Sequence, residues 1–135
     1  MSIQENKDIV KQFFECFSEV DLEGALTVTS SDVVWRVMGS EGGLPMSGKR
    51  DRKEIGELIE AVKAGFPDGM TLTPTDWTCE GDRVAVEMES NAVKANGAVY
   101  NNFYHFALIV RDGMIVSIKE YLDTLHVKRV FIDDN

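Results

Sequence analysis

The 135-residue sequence predicts an α+β fold, a curved antiparallel sheet packed against three helices of the N-terminal half, in a single domain spanning 1–135. Three observations carry this. Apolar residues recur at helical spacing through the first half of the chain, and the second half switches to strict alternation. The dipeptides Asn96-Gly97 and Asp112-Gly113 sit between alternating runs, where hairpin turns belong. Helices first and a meander afterwards put the helices on one face of the sheet.

Each element has its own signal. Ser2-Ile-Gln-Glu5 has capping-box spacing, in which serine and glutamate each satisfy the other's backbone N–H. Ile9, Val10, Phe13, Phe14 and Phe17 then fall on one stripe, giving a helix to about Glu19. Asp21 can cap a shorter helix to about Ser30, with Leu22, Ala25 and Leu26 inward. Val33 to Met38 reads as a short strand. Residues 39–48 hold too much glycine for anything but a loop. Asp51 and Glu54 open a third helix that buries Ile55, Leu58, Ile59 and Val62 and stops at Gly65 and Pro67. Met70 to Thr78 is a strand that Pro74 confines to an edge or a bulge. Strands at about Arg83–Val93, Ala98–Val110 and Met114–Leu122 follow. Asp123 can then cap a terminal helix from Thr124 to about Val130.

Composition narrows the function classes. A hydrophobic content of 44% with 27% charged residues is ordinary for a globular domain of this length. A net charge of −9, from 14 basic and 23 acidic residues, repels phosphate backbones and anionic lipid. No nucleic-acid or membrane partner is therefore expected. The basic run Lys49-Arg50-Asp51-Arg52-Lys53 is broken by an aspartate and reads as a solvated helix start. Cys16 and Cys79 have neither metal-ligand nor CxxC spacing and read as reduced thiols. With no apolar signal core and no stretch of membrane-spanning length, a soluble cytoplasmic protein is expected. His105 and His126 stand far apart without a ligand cluster, so no metal is expected. No phosphate loop or dinucleotide fingerprint calls for a cofactor.

Glu120 is the chemically unusual residue. In the run Met114–Leu122 it shares the alternating face with Met114, Val116, Ile118 and Leu122. A carboxylate buried without compensation costs several kcal/mol, so it must be paired, protonated or used. Hairpin register decides what it meets. A two-residue Asp112-Gly113 turn puts Glu120 opposite His105. A three-residue turn puts it opposite Tyr104 and gathers Phe106, Leu108 and Val110 on its face, which is the preferred pattern. At Asn96-Gly97 a two-residue turn aligns Glu89 with Tyr104 and Asn91 with Asn102. A three-residue turn instead groups Val84, Val86 and Met88 with Tyr104 and Phe106 and turns Glu87 toward His105. Patterning favours the second arrangement.

The element order, with the segments Leu44-Pro-Met-Ser-Gly48, Tyr100-Asn-Asn-Phe-Tyr-His-Phe106, Asp112-Gly-Met-Ile115 and Glu120-Tyr-Leu-Asp-Thr124, resembles the nuclear-transport-factor-2-like fold. Within it the likeness is to SnoaL-like members, small polyketide cyclases and their relatives. The resemblance covers nearly the whole chain and implies a cone with a deep pocket. It also implies Glu120 as general acid or base on a small apolar carbonyl compound, with Tyr104 or His105 assisting and no cofactor. Compared with limonene epoxide hydrolase, the two catalytic carboxylates fall at Glu89 and Glu120. That enzyme's intervening arginine falls at Glu87, and its water-positioning tyrosine and asparagine fall at Trp35 and Val37, which disfavours its mechanism. Compared with ketosteroid isomerase, the base, the tyrosine and the protonated aspartate fall near Val37, Phe13 and His105 or Phe106, and none matches. Trp35, Phe13, Phe17, Trp77, Asn102 and Phe106 are candidates for the substrate-binding wall. The other class of function is a non-catalytic module that binds a hydrophobic ligand or only dimerises. In either case a homodimer through the sheet is expected.

Overall fold

The computed structural model describes residues 2–40 and 42–133 of the chain. Helix α1 (Ile3–Ser18) begins on the expected capping box: Glu5 N–H donates to Ser2 Oγ at 3.0 Å, and Ser2 N–H to Glu5 Oε1 at 3.1 Å. Helix α2 (Leu22–Thr27) is capped by Asp21, which accepts from Gly24 N–H at 3.0 Å. It ends before Ser30 because strand β1 (Thr29–Val37) already begins there, captured by a parallel partner at Ile115. The described residues of the glycine-rich stretch before Gly48 form no helix or strand, but its end pairs with β1 as a short edge strand, β2 (Gly48–Arg50). Helix α3 (Arg52–Gly65) carries a second capping box, from Asp51 and Glu54.

Strands β3 (Met70–Glu80) and β4 (Arg83–Val93) form a long hairpin. The following strand is broken at Asn101-Asn102 into β5 (Val99–Tyr100) and β6 (Phe103–Arg111). Strand β7 (Met114–Leu122), helix α4 (Thr124–Val127) and a π-helical turn at Lys128–Asp133 complete the described chain. The sheet order is β2-β1-β7-β6-β4-β3 with β5 beside β4, and β1–β7 is its parallel pair. Pro74 lies at a register shift on the edge strand β3, so Met70 and Leu72 point inward before it and Trp77 and Cys79 after it.

Both hairpin registers bear on the site. At Asp112-Gly113 the turn has two residues, with positive φ at both (51° and 77°), and Arg111 pairs with Met114. The expected three-residue turn is therefore corrected. A bulge between Ile109 and Val110 then leaves Val116 unpaired on β7, and beyond it Leu108 pairs with Ile118 and Phe106 with Glu120. Glu120 thus shares the face of Tyr104, Phe106 and Leu108, as the preferred pattern requires, but lies opposite Phe106. The buried residue near the turn is Ile115, while Met114 and Val116 are only half-buried. At Asn96-Gly97 the patterning is followed: Glu87 pairs with His105, Met88 with Tyr104 and Glu89 with Phe103.

The core forms where α1 and α3 cover the inner face of the sheet. Val10, Phe13, Phe14 and Phe17 of α1 and Ile55, Ile59 and Val62 of α3 join Val33, Trp35, Val84, Val86, Met88, Phe106, Leu108 and Ile118 in one buried cluster. Full burial of such a side chain contributes about 1.5–3 kcal/mol. Phe13 and Phe14 meet edge-on at 5.2 Å, and Phe14 tilts onto Phe106 at 4.7 Å.

Candidate functional site: an acid in an apolar cavity

Toward the end of the sheet where α1 stops, α3 and the residues Leu44 and Met46 before β2 stand off the strands and leave a cavity of about 380 Å³. Its walls come from α1 (Phe17), β1 (Trp35, Val37), the loop (Leu44, Met46), α3 (Leu58, Val62), β6 (Tyr104, Phe106), β7 (Glu120) and the tail after it (Val127, Phe131). Nearly all of these side chains are apolar, and the volume suits a small molecule.

Glu120 enters from β7 and is only 9% exposed. Trp35, two strands from Phe106 on the same face, donates Nε1–H to Glu120 Oε1 at 2.8 Å. This is the side chain's one hydrogen bond among the described residues, leaving Oε2 to carry a proton. Burial pushes the carboxyl up to about 7, against the opposing pull of the Trp35 N–H and the Arg50 charge. At neutral pH, Glu120 is therefore poised between acid and base.

A second polar element lies on the same wall. The hydroxyls of Tyr100 and Tyr104 are hydrogen-bonded, and Asn102 Nδ2 donates to the Tyr100 oxygen at 3.1 Å. Burial raises both phenols, Tyr100 to about 12 and Tyr104 well above its ordinary value. Both therefore remain protonated donors at neutral pH. Tyr104 also stacks on Phe106 at 5.3 Å.

Of the candidates read from the sequence, Glu120, Tyr104, Trp35, Phe17 and Phe106 meet in this cavity. The others do not line it. Phe13 is fully buried behind the wall, edge-on to Trp35 at 5.9 Å. Trp77 is carried by the Pro74 bulge toward the start of α1, where Lys7 and Lys11 lie over its ring. Asn102 points inward, but its amide is used structurally. It donates to Asp123 O at 3.1 Å and accepts from Asp123 N–H at 3.2 Å and Phe103 N–H at 2.7 Å. Glu89 and His105 stand on the opposite face of the sheet. Glu89 accepts from Asn101 Nδ2 at 2.8 Å, and His105 is exposed between Glu87 and Tyr121.

Tyr100, Arg50 and Lys94 are polar wall residues that sequence reasoning did not select. For Tyr100 a signal exists, since its even spacing from Asn102 and Tyr104 puts all three on one face. Arg50 is masked by the charged run around it. Among the described residues no cluster of three or more histidine, cysteine or acidic side chains could hold a metal ion. None of the described helices is long and apolar enough to cross a membrane.

This architecture, a curved sheet with its helices on one side and a pocket at one end, defines a nuclear-transport-factor-2-like protein. It superposes on an NTF2-like protein from Burkholderia xenovorans LB400 with a TM-score of 0.79 and 28% identity, covering 96% of this chain and 98% of that one. The chain belongs to the SnoaL-like domain family, whose profile matches residues 10–118 and so stops just short of Glu120. UPF0523 protein C of Dictyostelium discoideum is 28% identical over 120 residues, 86% of this chain and 77% of that protein. IdmH of Streptomyces antibioticus, a proposed polyketide cyclase, is similar with a TM-score of 0.75 and 25% identity, covering 90% of this chain and 94% of that one.

Proposed function

We propose that this protein is a cofactor-independent enzyme of lyase or isomerase type, acting on a small, mostly apolar carbonyl compound with Glu120 as general acid or base. The observation that carries the reading is a carboxyl at about 7 in an open apolar cavity, restrained by a single hydrogen bond. A purely structural acid would be expected to have its oxygens filled by several partners.

The chemistry balances on this one group. Ionised Glu120 removes a proton from the carbon beside the carbonyl, and the C–H electron pair moves onto the carbonyl oxygen as an enolate. The phenol of Tyr104, on the same wall, is the candidate donor to that oxygen. Returning the proton to a different carbon is an isomerisation. If the enolate carbon instead attacks a second carbonyl, a carbon–carbon bond forms and the new alkoxide takes the proton from Glu120. Relatedness to proposed polyketide cyclases supports the second outcome.

Exchange of the α-protons of 2-tetralone in D2O, followed by NMR, tests the proton transfer without knowledge of the natural substrate. The protein should accelerate exchange, and Glu120→Gln should lose about 10²-fold or more of that acceleration. Equal exchange by the folded Gln protein would leave a pocket that binds without catalysing.

The outer sheet face supports a second part of the reading, a homodimer. Phe103 is 63% exposed there with Tyr121 diagonal to it across the ladder, and Val34, Val93 and Val99 are exposed elsewhere on the same face. An exposed apolar sheet face of this kind fits a self-complementary, two-fold contact.

A further inference from the structure

The cavity wall carries a cation that the proton transfer does not use. Arg50 ends β2 directly opposite Trp35 in the β1 ladder. Cross-strand partners project to the same side of a sheet, so Arg50 leaves on the face of the indole that holds Glu120. Its side chain is half-buried and lines the cavity. Among the described residues its guanidinium makes one hydrogen bond, to the Met46 carbonyl at 3.2 Å, and belongs to no ion pair; the ion pairs there are Arg111–Asp82 and Lys128–Asp133.

Ion pairs are few among the described residues, so what sets Arg50 apart is its place in the cavity wall rather than its lack of a carboxylate partner. Holding the Met46 carbonyl takes one N–H of five, arranged in a fork that matches a carboxylate in two parallel hydrogen bonds. The other cation of the wall, Lys94, is engaged: its ammonium donates to Val130 O at 2.8 Å and lies over the Phe131 ring. Arg50 and Glu120 share one poorly solvated space, and the arginine's charge reaches the carboxyl without an ion pair between them.

We propose that Arg50 anchors a carboxylate of the ligand, so that the pocket selects amphipathic carbonyl acids over neutral carbonyl compounds. The carboxylate sits on the guanidinium, the apolar body lies against Phe17, Leu58 and Phe66, and the carbonyl faces Glu120. The carbonyl end of this assignment rests on the function proposed above; the carboxylate end does not.

Isothermal titration with 1-naphthylacetate and its neutral isostere 1-naphthylacetamide tests the anchor by binding alone. The wild-type protein should bind the acid at least tenfold more tightly than the amide, as a charge-assisted bidentate contact requires. Arg50→Gln removes the charge and the fork and should erase that preference, read as the ratio of acid to amide affinity within the one folded protein. Arg50→Lys, which keeps the charge and loses the fork, should retain part of it. Equal affinity of wild type for acid and amide, or an acid preference surviving in Arg50→Gln, overturns the anchor and leaves the apolar pocket standing. Failure of both probes to bind at millimolar concentration overturns the anchor and the pocket reading together.

Discussion

A carboxyl group that titrates at about 7 makes the fold itself sensitive to pH. Its folded value is raised from 4.5, so between about 4.5 and 7 the native state holds a proton that the unfolded chain has released. Stability therefore falls as pH rises through that window, by an amount on the order of 3 kcal/mol once both states are ionised. Glu120→Gln mimics the protonated form. It should leave the urea midpoint nearly unchanged at pH 5 and raise it clearly at pH 8, and an equal effect at both pH values would contradict the burial argument. Trp35 acts in the opposite direction, since its N–H favours the ionised form. Trp35→Phe should move the Glu120 titration, followed by the carboxyl 13C shift, to higher pH, and cost about 1–3 kcal/mol through lost packing and the lost hydrogen bond.

Strand and turn chemistry determine whether these residues meet at all. The buried amide of Asn102 ties β6 to the start of α4 through both backbone groups of Asp123 and also orients Tyr100. Asn102→Leu keeps the volume and strands those partners, so it should lower the unfolding free energy by about 2–4 kcal/mol. A Tyr100 to Tyr104 phenol pair that no longer holds its geometry should accompany that loss, visible as a shift in the tyrosine ring signals. At this scale the sequence was partly legible. The capping residues Ser2, Asp21, Asp51 and Asp123 all mark real helix starts, because a cap is a local hydrogen bond that needs no tertiary partner. The side of the sheet taken by Glu120 was legible too, since Tyr104, Phe106 and Leu108 alternate unambiguously. The bulge at Val116 was not, because Ile115 and Val116 are equally apolar and either can face the core. Strand β2 was hidden by Gly48 and by lysine and arginine, which carry no strand preference of their own.

For the molecule as a whole, the surface divides into a helix-covered face that encloses the cavity and an outer sheet face that no described element covers. If the outer face joins two copies, Phe103→Glu should convert a dimer to a monomer in sedimentation equilibrium while leaving 1-naphthylacetamide binding intact, because Phe103 points away from the cavity. A wild-type protein that sediments as a monomer at tens of micromolar would remove this proposal. Much of the cavity wall lay beyond sequence reading for a reason of scale. Met46, Phe66 and Phe131 come from a loop, a helix end and the tail, and only the closed fold brings them together. Their apolar character predicted burial, not which void they would surround.

The tail divides labour within that void. Glu120 and Trp35 belong to the sheet ladder, whereas Val127 and Phe131 reach the cavity from beyond the last strand and touch neither of them through any backbone pairing. Size and shape at the far wall can thus change through exchange of a side chain or two after residue 123, with the proton-handling end left as it is. If Glu120 acts as proposed, the bulk of the ligand's apolar body could therefore change through the tail alone, whereas its charged end is tied through Arg50 to the same ladder as Glu120.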